Sequence, residues 1–200
     1  MAVVSGGTTL IDNGALDAGV STGSLILLST QTASSSASLS FTSGIDSTYD
    51  SYVFKFINVH PSIDTVRFEF NGSTDGGSNY NVIKTTTYFS AYHAEADDTA
   101  VLNYQTSRDL AQSTSFQNLG YSDSNNDDAS LSGTLQLFNP SSTTYVKHFI
   151  SENNVMHAYP MPLSSYVAGY FNTTSAINAI QFRYDAGNID DGIIKMYGVK

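Results

Sequence analysis

Cysteine and tryptophan are both absent from the 200-residue chain, and proline occurs only 4 times. Without a thiol there can be no disulfide framework, no thiolate zinc site and no cysteine nucleophile, so stability has to come from packing or assembly. The lack of tryptophan weighs mildly against a sugar-stacking platform, although 13 tyrosines and 11 phenylalanines supply other rings. Charge is scarce as well. Asp, Glu, Lys and Arg together make up 13% of the chain, about half the usual share, so Ser, Thr and Asn must cover much of the surface. The charge that is present is mostly acidic, 18 residues against 8 basic ones, for a net −10. That field opposes phosphate backbones and anionic lipid, and excludes nucleic acid as a natural partner. The first apolar run, Leu25-Ile26-Leu27-Leu28, is too short for a signal core or a bilayer span, and the first seven residues carry no basic group; no membrane insertion is expected.

What is abundant is strand signal. Residues 1–23 are rich in Gly, Ser, Thr and Asp, with isolated apolar residues and no sustained period, and read as an extended N-terminal arm. A flexible leader and an arm that orders against a neighbouring subunit both fit. Residues 24–200 read as one β-domain. Leu25-Ile26-Leu27-Leu28 looks like a buried run. Tyr52, Phe54 and Phe56 share one strand face, with Val53, Lys55 and Ile57 on the other. The cleanest period of two places Val66, Phe68 and Phe70 toward a core and Thr65, Arg67 and Glu69 toward water. Leu131, Gly133, Leu135 and Leu137 alternate with Ser132, Thr134 and Gln136, and further runs centre on Tyr145 to Ile150, Tyr166 to Phe171, Ile180 to Tyr184 and Gly192 to Lys200. Residues 95–103 and 122–129 read as decorated loops, with one short helical pattern near Thr106 to Ser113. About ten strands with turn signals at sandwich-like spacing, and no βαβ alternation, define an all-β, antiparallel two-sheet β-sandwich, jelly-roll-like, whose core should hold Phe54, Phe56, Phe68, Phe70, Leu135, Leu137, Ile180 and Phe182.

No constellation of catalytic residues emerges. Gly19-Val20-Ser21-Thr22-Gly23 has the letters of a nucleophile elbow, but a loop precedes it and a strand follows, the reverse of what exposes a nucleophilic serine. Asp123, Asn125 and Asp127 sit at positions one, three and five of a calcium loop, yet Asp128 stands where glycine is required and Thr134 where a bidentate acid is required. That excludes an EF-hand, and leaves open whether Asp123, Asp127 and Asp128 bind a cation, with a solvated acidic loop as the simpler reading. His60, His93, His148 and His157 show no metal-ligand spacing, and His148 should lie on the opposite strand face from Lys147.

Taken as phrases, Leu27-Leu28-Ser29-Thr30-Gln31-Thr32-Ala33-Ser34-Ser35-Ser36-Ala37, Phe41-Thr42-Ser43-Gly44-Ile45-Asp46-Ser47-Thr48-Tyr49, Phe138-Asn139-Pro140-Ser141-Ser142-Thr143-Thr144 and Gly192-Ile193-Ile194-Lys195-Met196-Tyr197-Gly198 resemble a family of virion structural proteins of tailed phages, common among phages of marine bacteria. The resemblance runs over most of residues 25–200 and carries no catalytic, cofactor-binding or metal-binding residue. It implies a non-enzymatic virion surface protein, made in the bacterial host cytoplasm and displayed as a tail fibre or tail-tip appendage, with other virion proteins as partners and a host-surface glycan or protein as a further one. A capsid decoration knob is the alternative within that class. A homo-oligomer, with a trimer as the expected number, follows from Val3, Val4, Leu10, Ile11 and Leu16, apolar residues in a segment too polar and Gly-rich to fold alone. The alternative from another class is a carbohydrate-binding module or glycan-active enzyme on the same fold. A glycosidase would need two carboxylates about 5 to 10 Å apart, for which Glu69, Glu95 and Glu152 are the candidates.

Overall fold

The computed structural model describes residues 25–199 and, ahead of them, residues 3–5, 8–12 and 15–16. In chain order the strands are β1 (Val3–Ser5), β2 (Thr8–Asp12), β3 (Ala15–Leu16), β4 (Leu25–Thr32), β5 (Leu39–Phe41), β6 (Ser51–Pro61), β7 (Phe68–Ser73), β8 (Lys84–His93), β9 (Ala100–Tyr104), β10 (Gln117–Asn118), β11 (Leu131–Phe138), β12 (Lys147–Met156), β13 (Pro162–Phe171), β14 (Ala179–Tyr184) and β15 (Ile189–Val199). Two antiparallel sheets pack into a sandwich. The large one has eight strands in the order β4-β15-β6-β11-β12-β13-β8-β9, the small one four in the order β10-β7-β14-β5. The antiparallel two-sheet architecture is the one the sequence pattern predicts.

The core forms because alternation in both sheets points rings and branched side chains into one layer. Phe182 sits at its centre, with ring centroids of Phe56 at 5.1 Å, Phe54 at 5.3 Å, Phe68 at 6.0 Å and Phe41 at 6.2 Å, most of them edge to face. Phe70 meets Phe149 at 5.0 Å and extends the cluster toward Phe171. All eight expected core residues are buried. The final strand β15 is interior, paired to β6 on one side and β4 on the other.

Four expectations are corrected. The segment near Thr106 to Ser113 is turn and loop, beginning with a single turn in which the Arg108 amide donates to Gln105 O at 3.0 Å. Leu25-Ile26-Leu27-Leu28 is not buried, because β4 is the outer strand of the large sheet and Leu27 is 52% exposed. Glu69 does not face water. Every residue of β7 is buried, and Glu69 lies beneath Arg183 and Asn118 on the outer side of the small sheet. Residues 100–104, read as part of a loop, form the edge strand β9. The segment read as an arm carries a three-stranded sheet of its own, β1-β2-β3, while Ser21 and the rest of the elbow-like pentapeptide lie outside the described residues.

Candidate functional site

The two sheets differ in how their outer faces are finished. Outward residues of the small sheet are covered by the chain's own loops. Asn71 donates to Tyr80 O and Thr114 O, both at 2.9 Å, and the Ser73 hydroxyl donates to Asp75 at 2.6 Å. Arg183 Nε holds Glu69 Oε1 at 2.8 Å while its guanidinium lies 3.9 Å over the Phe116 ring. Burial raises the Glu69 pKa, with Arg183 opposing the rise.

The outer face of the large sheet has a different character. Pairing registers put Leu27, Tyr197, Val53, Gln136, Ile150, Ala168 and Thr87 in one outward row. Two residues along, Lys195, Lys55, Thr134, Glu152, Tyr166, Phe89 and Tyr104 form the next row. Half of these residues are large apolar or aromatic groups; Tyr197, Val53 and Tyr166 are half-buried, while Leu27, Phe89, Tyr104 and Ile150 are exposed, Ile150 at 56%, and Leu102 beside them on the edge strand β9 is 72% exposed. Phe89 and Tyr166 stack at 4.9 Å with their planes 11° apart, and Lys55 Nζ stands 5.4 Å over the Tyr197 ring. The small side chain of Ala168 leaves a depression of about 450 Å³ walled mainly by carbon from Thr85, Thr87, Ile150 and Tyr170, with His148 on its rim. A second of about 180 Å³ adjoins it between Phe89, Tyr166 and Ile150. Scattered surface apolar residues are ordinary; here the exposed ones are gathered on one sheet face.

The histidines and acids of the sequence reading fall as follows. His148 is exposed and Lys147 buried, on opposite faces of β12 as expected; the buried Lys147 ammonium donates to Thr173 O at 3.1 Å. Asp123 is 1% exposed, whereas Asp127 and Asp128 are exposed and line a shallow acidic depression with His60, Asp190 and Asp191. Among the described residues no three acidic or histidine side chains stand close enough to hold a metal ion. Glu69, Glu95 and Glu152 are not gathered either. Glu69 is buried on the small sheet, Glu95 lies in the loop after β8 and Glu152 on the outer face of the large sheet.

A buried polar cluster escaped the sequence reading. Asp123 stitches the two sheets together through bridges to Val66 and His157, yet among the described residues neither of its carboxylate oxygens has a hydrogen-bond partner. Burial pushes its pKa up to about 8, the nearby Tyr184 hydroxyl pulling it down and Asp185 adding to the rise. Beside it the Arg108 guanidinium lies 3.6 Å over the Tyr121 ring, and Asn153 donates to Leu119 O at 3.1 Å. Lys84 is equally buried, donating to Val82 O at 3.1 Å and Ser115 O at 2.6 Å, and burial lowers its pKa to about 7. Lone charged letters between apolar ones give no sign of which loops will fold over them.

Compared with known proteins, the chain matches no family model, no curated protein and no solved structure. No helix among the described residues is long and apolar enough to cross a membrane.

Proposed function

We propose that this chain is a non-enzymatic surface protein of a tailed-phage virion, a tail-fibre or tail-tip module whose segment 1–23 docks it to the particle and whose large sheet presents the contact surface. The observation that carries the reading is the contrast between the two outer faces. The chain buries the outward side of β7 in the small sheet under its own hydrogen-bonded loops and neighbouring strands, and leaves Leu27, Phe89, Leu102, Tyr104 and Ile150 exposed among polar residues on the large one. An enzyme gathers titratable groups in a cleft; here the buried charges each sit apart from the open face, in the core or under loops. The four phage-like phrases support the reading from another side, because they lie beside one another in the scaffold, the first and last pairing along β4 and β15 from Leu27–Tyr197 to Thr32–Ile193. The Tyr49 ring lies on Gly198, where any Cβ would clash, and Asn139 N donates to Asp50 O at 2.7 Å. They build the scaffold, which is what a resemblance without chemistry should preserve.

Localisation on purified particles tests this. Gold-labelled antibody against the chain should decorate tail ends. Labelling of the head would favour the capsid decoration reading, and a chain absent from purified particles would end both.

A further inference from the structure

The bare face of the large sheet is complementary to itself, and we infer that it is the contact by which two copies of this chain pair face to face about a two-fold axis running along β11. The inference rests on reading that face as a contact surface and adds what occupies it.

A two-fold axis lying between two facing sheets and parallel to β11 keeps each residue in its own row and exchanges the strands on either side. It lays β6 of one copy over β12 of the other, β15 over β13 and β4 over β8. In the charged row, Lys55 then faces Glu152 of the second copy, and Glu152 faces its Lys55, because both residues pair with Thr134 on β11 from opposite sides. Lys195 faces Tyr166 of the second copy, a cation over an aromatic ring. In the apolar row Val53 faces Ile150, and Tyr197 faces Ala168, the small residue at the floor of the 450 Å³ depression. A ring meets a hole.

Four further observations single out a second copy. Among the described residues Lys55, Lys195 and Glu152 have no ion-pair partner within the chain, so pairing between copies would give Glu152 a cation and add a carboxylate to Lys55, which within the chain rests over the Tyr197 ring. On a chain of net charge −10, this row holds two lysines and one carboxylate, which lets another acidic copy approach without local repulsion. Seven strands at their usual spacing, with four outward positions each, cover roughly 900 Å², close to the area each partner contributes to a standard interface. The depression is walled mainly by carbon, which suits a side chain such as Tyr197 better than a sugar, whose hydroxyls need many donors and acceptors.

Sedimentation equilibrium on the full chain, over a concentration series, decides the matter. The wild type should have the mass of two chains. Lys55→Glu and Glu152→Lys each set like charges against each other across the axis and should weaken the pair by about tenfold or more. The double variant Lys55→Glu/Glu152→Lys should restore it, a result that misfolding cannot mimic. A one-chain mass throughout, a three-chain mass unchanged by either reversal, or a double variant as weak as the singles would each overturn the inference. A chain that is monomeric in solution, but whose Ile150→Glu variant is lost from virions, would keep the contact surface and overturn the self-pairing.

Discussion

Phe182 touches five other phenylalanine rings, Phe41, Phe54, Phe56, Phe68 and Phe70, and so ties both sheets at one point. Truncation removes its transfer free energy and leaves a cavity that rigid neighbouring strands cannot close. Phe182→Ala should cost about 3 to 5 kcal/mol in urea unfolding; a loss under about 1 kcal/mol would show that the ring cluster tolerates a hole there. Asp123 acts through protons instead. Its pKa rises from 3.8 to about 8 on folding. Between those values the folded state holds one proton more than the unfolded state, so its contribution to stability is complete below the lower value and is lost as pH rises through the upper one. Asn keeps the neutral shape without the proton. Asp123→Asn should match the wild type near the low end of that window and exceed it at about pH 8, with a flatter thermal midpoint against pH between. Parallel slopes for the two proteins would show that Asp123 is ionised in the fold.

At the scale of elements, β15 and β6 are joined through two irregularities of register around Asp191. Gly192 sits between them at φ +119°, where an added Cβ would stand 2.6 Å from both Asn58 O and Val59 Cα. Gly192→Ala should therefore cost about 2 to 4 kcal/mol through backbone strain and overpacking combined. A stability change within about 0.5 kcal/mol would mean that the two strands part easily at the bulge. Elements of this kind were legible to very different degrees. β6, β11 and β14 alternate large apolar residues with polar ones, and such a period fixes both strand and inward face. Short β9 and β10 carry too few residues for a period, and β1 to β3 are interrupted by glycine and polar residues. The apolar run at Leu25 shows the limit of reading hydrophobicity as burial. Its outward residues continue the rows of a face that the chain itself leaves open, and composition cannot separate a side chain meant for the core from one meant for a partner. Glu69 fails in the opposite direction, since the residues that cover it, Asn118 on β10 and Arg183 on β14, are remote in sequence.

For the molecule as a whole, the sandwich and the small N-terminal sheet are paired independently. β1 and β3 both pair with β2, while β4 pairs with β15. Among the described residues, the aromatic core that holds the two sheets of the sandwich together draws its buried residues from position 33 onward. A chain lacking residues 1–23 should therefore keep its fold, with a thermal midpoint within about 3 °C of the full chain, the shift expected for under 1 kcal/mol in a domain of this size. The apolar residues of the deleted segment can gain roughly 1.5 to 3 kcal/mol each only where something buries them, and ordering their backbone costs about 1 to 2 kcal/mol per residue. On the proposed reading, docking on the particle would supply that burial. Purified virions grown with the truncated chain should accordingly lose it, while its self-pairing in solution, set by the outer face of the large sheet, should be unchanged. Incorporation at wild-type occupancy would move the particle contact onto the sandwich. A truncated chain that unfolds would show instead that the first strands complete the domain, with the exposed edge at β4 as the place where they do so.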